Sequence, residues 1–199
     1  MKNFFAFLFL CSIIAGALLI LGKDNHYLFT VIPHLSLFSI AMYFIYEKDW
    51  QTTLKKLGIP GDIKSNLKYA ILGFISFIVV TLLIGIIMSY FSIRSDSEKV
   101  ATVIKEFPTY LLIFAIFFAP ISEELFFRAF LTEKFGIISP AILFAIAHVG
   151  YQSYTQLVIA FILGLMLGYV YRRSKSVLPG MAMHLGYNAL SILIIRSTI

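Results

Sequence analysis

Charge is scarce in this chain. Of 199 residues only 13% are Asp, Glu, Lys or Arg, against 60% that are hydrophobic. Soluble domains are about a quarter charged and about half apolar, and a water-soluble fold of this length could not cover so much apolar surface. An ordinary soluble enzyme and a disordered chain are thereby excluded. Cysteine is nearly absent: Cys11 stands alone, so no internal disulfide can form and a secreted disulfide scaffold is excluded. Neither Gly-x-Ser-x-Gly nor His-Glu-x-x-His occurs, so the local signatures of a serine-hydrolase elbow and of a zincin helix are missing. No internal repeat and no low-complexity segment is visible, which weakens an inverted-repeat transporter.

What is present is a series of long apolar runs. About 20 apolar residues cross the hydrocarbon core as a helix. The runs without a charged side chain are Asn3–Gly22, Leu28–Tyr46, Tyr69–Ile93, one starting near Phe107 and reaching Ser122, Phe135–Tyr171 and Ser176–Ile195. The run from Phe135 is too long for one span. Ser139-Pro140 and the polar patch Gly150–Thr155 divide it into spans near Pro140–Val149 and Thr155–Tyr171. The expected fold is an all-α, polytopic transmembrane helix bundle, with residues 1–199 as a single transmembrane domain. It has seven spans, or eight if an amphipathic piece also inserts. The first run exceeds the usual apolar core of a cleaved signal peptide and lacks a small-x-small cleavage site, so it is expected to stay as a signal-anchor. Asp49–Lys68 places Trp50, Leu54, Leu57, Ile59 and Ile63 among lysines. It reads as an interfacial helix with a turn at Gly58–Gly61, or as a solvated basic loop.

Net charge is +6, from 16 basic and 10 acidic residues. The basic residues cluster between apolar runs, which is the pattern of membrane-flanking loops rather than of a nucleic-acid face. With seven spans, one side holds Lys2, Lys48, Lys55, Lys56, Lys64, Lys68, Lys134, Arg172, Arg173 and Lys175. The other holds Lys23, Arg94, Lys99, Lys105 and Arg196. The excess puts the N-terminus in the cytoplasm. The expected setting is a multi-pass protein of the cell membrane, with the lipid bilayer and a membrane-associated peptide as partners and no nucleic acid.

Ionisable groups inside hydrocarbon are expensive and usually functional. Those present are Glu123, Glu124 and Arg128 in the fourth span, His148 in the fifth, and His184 with Asn188 in the last; His34 in the second is a further candidate. Glu124 and Arg128 are four apart, share a helix face and can pair. Glu123 is rotated by about 100° from Glu124, which leaves it as the reactive carboxylate; one neutralising cluster of all three is the alternative. His184 and Asn188, also four apart, can each donate a hydrogen bond toward one oxyanion, or can simply tie helices together. Counted from the basic-rich side, Glu123 lies about 16 Å deep, His148 about 15 Å and His184 about 13 Å. A common depth suggests one site inside the membrane, expected to open to the cytoplasm. A carboxylate and an imidazole can deprotonate water, and donors opposite can hold a tetrahedral intermediate. That pairing suits amide hydrolysis without a covalent intermediate. Two histidines and a glutamate could instead bind zinc with an open position.

The runs Glu123-Glu124-Leu-Phe-Phe-Arg128, Phe144-Ala-Ile-Ala-His148 and His184-Leu-Gly-Tyr-Asn188 resemble the three motifs of the CPBP family. That family comprises the CAAX prenyl endoproteases and their bacterial relatives, also called Abi proteins. Pro120 and Leu178-Pro179-Gly180 are similar too, and the resemblance covers 107–193 as the catalytic core. It implies an intramembrane endopeptidase in which Glu123 and His148 activate water, His184 and Asn188 bind the oxyanion, and Glu124 and Arg128 support the site. No cofactor is expected to be required, because Glu123 and His148 suffice to polarise water, with zinc on Glu123, His148 and His184 as the alternative. Small bacterial relatives are linked to peptide maturation, bacteriocin immunity and membrane-protein regulation, so a prenylated substrate is not claimed. Two other readings are a noncatalytic membrane immunity or scaffold protein of the same fold, and an ion or proton transporter.

Overall fold

In lipid no water is at hand to satisfy backbone N–H and C=O groups, so an apolar chain must bond them within its own helices. The computed structural model describes residues 1–7, 9–10 and 28–198, and among these it contains helices and no strand. Most of the first apolar run, with Cys11, lies outside the described residues.

The helices run in the order α1 (Leu28–Ile45), α2 (Trp50–Lys56), α3 (Ile63–Tyr90), α4 (Glu98–Glu106), α5 (Thr109–Phe135), α6 (Ile138–Ala147), α7 (Tyr154–Ser174) and α8 (Leu178–Ser197). A single 3₁₀ turn, Val149–Tyr151, follows α6. Among the described residues α3, α5, α7 and α8 are long and apolar enough to cross a membrane. The apolar helices Thr30–Ile45 and Ile138–Tyr151 are shorter. The latter, at 1.5 Å per residue, measures about 21 Å, less than the ~30 Å hydrocarbon thickness. The count of four long helices and two short ones stands beside the seven expected spans, of which the first falls mostly on residues not described.

Polar caps mark where several helices begin. Asp49 accepts the Thr52 N–H at 2.8 Å before α2, Asp62 accepts the Lys64 N–H at 3.0 Å before α3, and Ser153 accepts the Gln156 N–H at 3.1 Å before α7. Two sequence expectations change here. Ile63–Lys68 is the first part of α3 rather than an interfacial piece, and only Trp50–Lys56 forms a separate short helix. Glu98–Glu106, unassigned from sequence, is an amphipathic helix. Val100, Val103, Ile104 and Phe107 stand at the helical spacing that announces such a face.

α3 is the most lipid-like element. Ile71, Leu82 and Ile86 on it are 48%, 63% and 64% exposed. An apolar face of that extent is not tolerated by a soluble monomer, so it marks contact with acyl chains. The chain is a membrane protein. Inside the bundle, Phe77, Phe127, Phe144, Leu163, Leu167 and Met183 form one buried cluster, and Ala41, Met42, Ile45, Leu57, Tyr171 and Val177 another. α6 and α7 pack closely at Gly164, where an added Cβ would lie 3.0 Å from the Ala141 Cα.

The two ends of the bundle are tied separately. At one end the Val177 N–H donates to the Leu57 carbonyl at 3.1 Å, Arg172 donates to the Thr132 carbonyl at 3.0 Å, and Lys56 pairs with Glu47 at 2.5 Å. This end gathers the basic segments 48–68, 134 and 172–175. At the other end Lys99 donates to the Gln152 carbonyl at 2.8 Å, and Arg196 donates to the Phe107 carbonyl. Asp96 makes the tightest join there. Its carboxylate accepts the Ser153 hydroxyl at 2.7 Å and the Tyr154 and Thr155 N–H groups at 3.0 and 3.1 Å, placing an anion on the first turn of α7, where the helix dipole favours it.

Burial alone would push the Asp96 carboxyl up, but the bonds from Ser153, Thr155 and Tyr154 outweigh it and hold it well below the usual carboxylate range. A carboxyl whose folded value is depressed contributes its stability fully above its unfolded value, about 3.9. That contribution is lost as the pH falls through the folded value. Thermal midpoints of detergent-purified protein should therefore drop below about pH 4, and the drop should be shallower in Asp96→Asn. Parallel acid profiles for the two proteins would contradict the join.

Candidate active site

The fourth predicted span becomes α5, and its polar part departs from α-helical winding. Thr109–Glu123 is α-helical, Glu124–Thr132 is π-helical, and Glu133–Phe135 forms the last turn. Pro120, buried just before the change, has no N–H to offer the helical ladder. Thr132 turns its hydroxyl back onto the Phe127 carbonyl, five residues earlier, at 2.8 Å. π-Helical turns are rare and frequently found at functional sites. This one carries Glu124 and Arg128.

Arg128 is 2% exposed and Glu124 fully buried. The Arg128 Nε lies 3.3 Å from Glu124 Oε2, and the guanidinium rests over the Phe144 ring at 4.5 Å from its centroid. The pairing expected from sequence is present. α8 comes close to this pair because Gly180 has no side chain: a Cβ there would stand 2.8 Å from Glu124 Oε2.

Glu123 and Glu124 do not face unrelated directions, as helical rotation alone suggests. Both reach His184, one on each side of its ring. His184 Nδ1 lies 3.1 Å from Glu124 Oε1, and His184 Nε2 lies 3.6 Å from Glu123 Oε2. A carboxylate only accepts, so the Nδ1 proton of His184 is directed at Glu124. A neutral His184 with its proton on Nδ1 presents a lone pair at Nε2, and to donate from Nε2 as well the ring must carry both protons.

His148 closes α6. Its Nδ1 donates to the Phe144 carbonyl at 2.8 Å, which leaves Nε2 as the basic nitrogen of the neutral ring. The Phe144 ring sits against both imidazoles, 4.7 Å from His148 and 5.7 Å from His184. Asn188, one turn after His184 on α8, donates through Nδ2 to the Ala115 carbonyl at 3.0 Å; the amide carries a second N–H. His34 on α1 lies 2.9 Å through Nε2 from Glu123 Oε1, a contact that sequence spacing could not reveal across 89 residues.

Glu123, His148, His184, Asn188 and His34 line one cavity of about 470 Å³. Glu124 and Arg128 stand behind it. The cavity continues past Tyr187 and Ile192 to Ile104 and Ile195 and to the exposed Ser97 and Glu98. Its mouth therefore faces the end that bears α4, Lys99 and Arg196. The opening expected on the basic-rich side is thus corrected: depths counted from that side were comparable because the residues sit mid-bundle, which is compatible with an exit either way. Among the described residues no group of three or more His, Cys, Asp or Glu side chains is arranged to hold a metal ion.

No curated protein and no solved structure matches the chain. Residues 105–190, the segment that carries Glu123, His148, His184 and Asn188, match the family model described as Type II CAAX prenyl endopeptidase Rce1-like.

Proposed function

We propose that the protein is an intramembrane endopeptidase that hydrolyses a peptide bond of a membrane-associated protein or peptide with a water activated by Glu123 and His148. The single observation that carries this reading is the convergence of a carboxylate, imidazoles and an amide on one cavity that reaches the mid-bundle. A protease family match over the same residues supports it.

The chemistry balances without a covalent intermediate. Glu123, aided by the Nε2 of His148, takes a proton as water oxygen bonds to the scissile carbonyl carbon. The carbonyl oxygen becomes an oxyanion, held by the Asn188 amide and by His184 in its doubly protonated form. The proton on Glu123 passes to the amide nitrogen, the C–N bond breaks, and a carboxylic acid and an amine leave. Glu124 and Arg128 work indirectly, by fixing the His184 ring. No step of this reading uses zinc, since Glu123 and His148 suffice to polarise water.

The apolar walls at Ile104, Leu112, Ile192 and Ile195 suit a segment with aliphatic side chains or a lipid substituent. With the basic-rich end in the cytoplasm, as the charge distribution implies, the mouth faces the opposite side of the membrane.

The test is cleavage by purified protein of two reporters, a farnesylated Cys-aliphatic-aliphatic-x peptide and an unmodified transmembrane peptide. Hydrolysis of either supports the reading, and the ratio between them defines the substrate. Intact peptides in both cases, from a folded preparation, would overturn it. Asn188→Ala should lower kcat by about 10²–10³-fold, as for loss of an oxyanion donor. It should also destabilise the bundle by about 0.5–1.5 kcal/mol, because the bond to the Ala115 carbonyl goes with it. Unchanged kcat would remove Asn188 from the oxyanion site.

A further inference from the structure

His34 lies on α1, far outside the segment that carries the family match. It is an ionisable group in an apolar helix, a placement that is costly unless it serves something. Its side chain is 16% exposed and lines the cavity. The ring is held from three directions. Nδ1 donates to the Thr30 carbonyl at 2.6 Å one turn earlier, Nε2 faces Glu123 Oε1 at 2.9 Å, and the edge of the ring meets Phe114 at 5.7 Å between centroids.

Proton bookkeeping makes the contact informative. Thr30 offers a carbonyl, which only accepts, so Nδ1 carries its proton. A lone pair on Nε2 facing a bare carboxylate oxygen at 2.9 Å would be repulsive. One further proton therefore sits between His34 Nε2 and Glu123 Oε1. The other oxygen, Oε2, lies on the His184 side. The two carboxylate oxygens thus have different neighbours, one bonded to α1 and one turned toward α8.

We propose that His34 is a positioning residue for the peptidase reaction: it holds Oε1 of Glu123 so that Oε2 is the oxygen presented to water. This inference rests on the peptidase reading. α1 thereby becomes a working part of the site, and the catalytic carboxylate is gripped across helices by a residue that no motif contains. A misplacement of about 1 Å in a reacting group lowers rates by about 10²-fold, so losing the grip is expected to act on kcat.

The experiment compares wild type with His34→Leu, His34→Gln and His34→Asn on whichever of the two reporter peptides the wild type cleaves. His34→Leu should lower kcat by about 10²-fold with KM little changed. His34→Gln should recover most of the loss, because its amide nitrogen stands at the same number of bonds from Cβ as Nε2 of histidine. His34→Asn, whose nitrogen falls short, should not. If the leucine variant fails to fold, the glutamine and asparagine variants decide: equal turnover by those two overturns the proposal, as does a wild-type kcat in the leucine variant. A second measurement reads the contact without any turnover. In ¹⁵N-histidine spectra of the protein in lipid, the His34 Nε2 signal, identified by its loss in His34→Gln, should shift in Glu123→Gln. A signal that stays in place overturns the contact. Absence of cleavage by wild type overturns the peptidase reading and the role of His34 in it, while the spectra still report on the pair alone.

Discussion

Glu123→Gln should abolish most turnover while leaving the bundle folded. The amide keeps the size of the carboxyl group and an oxygen that can still accept a hydrogen bond from His34 Nε2, so the join between α1 and α5 survives. What is lost is the ability to take a proton from water. General-base contributions amount to about 10²–10⁴-fold, and the proposed mechanism has no serine, threonine or cysteine nucleophile to fall back on. The expected result is a kcat reduced by that factor on the cleaved reporter peptide, with elution volume and thermal midpoint close to wild type. Equal cleavage by the two proteins would remove Glu123 from the chemistry and with it the peptidase mechanism.

Arg128→Ala should affect the fold before it affects the rate. The arginine is among the largest fully buried side chains, it pairs with Glu124 at 3.3 Å, and it covers the Phe144 ring. Removing it leaves a carboxylate in an apolar interior and a cavity beside it. Breaking a buried pair from one side costs about 3–5 kcal/mol, a large share of the ~5–15 kcal/mol that holds a typical domain together. Purification should yield little monodisperse protein, with a clearly lowered thermal midpoint. Glu124→Gln/Arg128→Met should recover part of the yield, since it removes both charges together. It should not recover activity, because the Nδ1 of His184 then loses its carboxylate partner. A single alanine variant with wild-type yield and midpoint would show that Glu124 finds another partner.

Much of this was legible in the residues. Runs without charge correspond to α3, α5, α7 and α8, because in hydrocarbon an apolar run has no option but a helix. The polar residues worth attention were legible for the same reason, since Glu123, Glu124, Arg128, His148 and His184 are rare inside such runs. The amphipathic helix α4 was also readable from Val100, Val103, Ile104 and Phe107, but its charged ends make it resemble a loop. The start of α3 at Ile63 was masked by Lys64 and Lys68, which the helix carries at the membrane edge.

Other features were beyond reach of any local pattern. Helical rotation separates Glu123 from Glu124, yet both engage one imidazole, because histidine has a nitrogen on each side of its ring and α8 comes close at Gly180. A π-helical stretch in place of an α-helix cannot be read from Glu124–Thr132, as the same residues suit either winding. Depth in the membrane is symmetric for a mid-bundle site, so residue counting could not say which end the cavity faces.

Composition and spacing alone determined that this chain lives in a membrane as helices and which polar side chains deserve a role. They are set by transfer energies and by the pitch of a helix, both of which act over neighbouring residues. Only the packed bundle decided that Oε1 of Glu123 meets His34, that His184 directs Nδ1 at Glu124, and that the cavity opens beside α4. Those outcomes depend on how separate helices rotate and cross, a quantity that arises when the whole chain is assembled and that no single stretch of it contains.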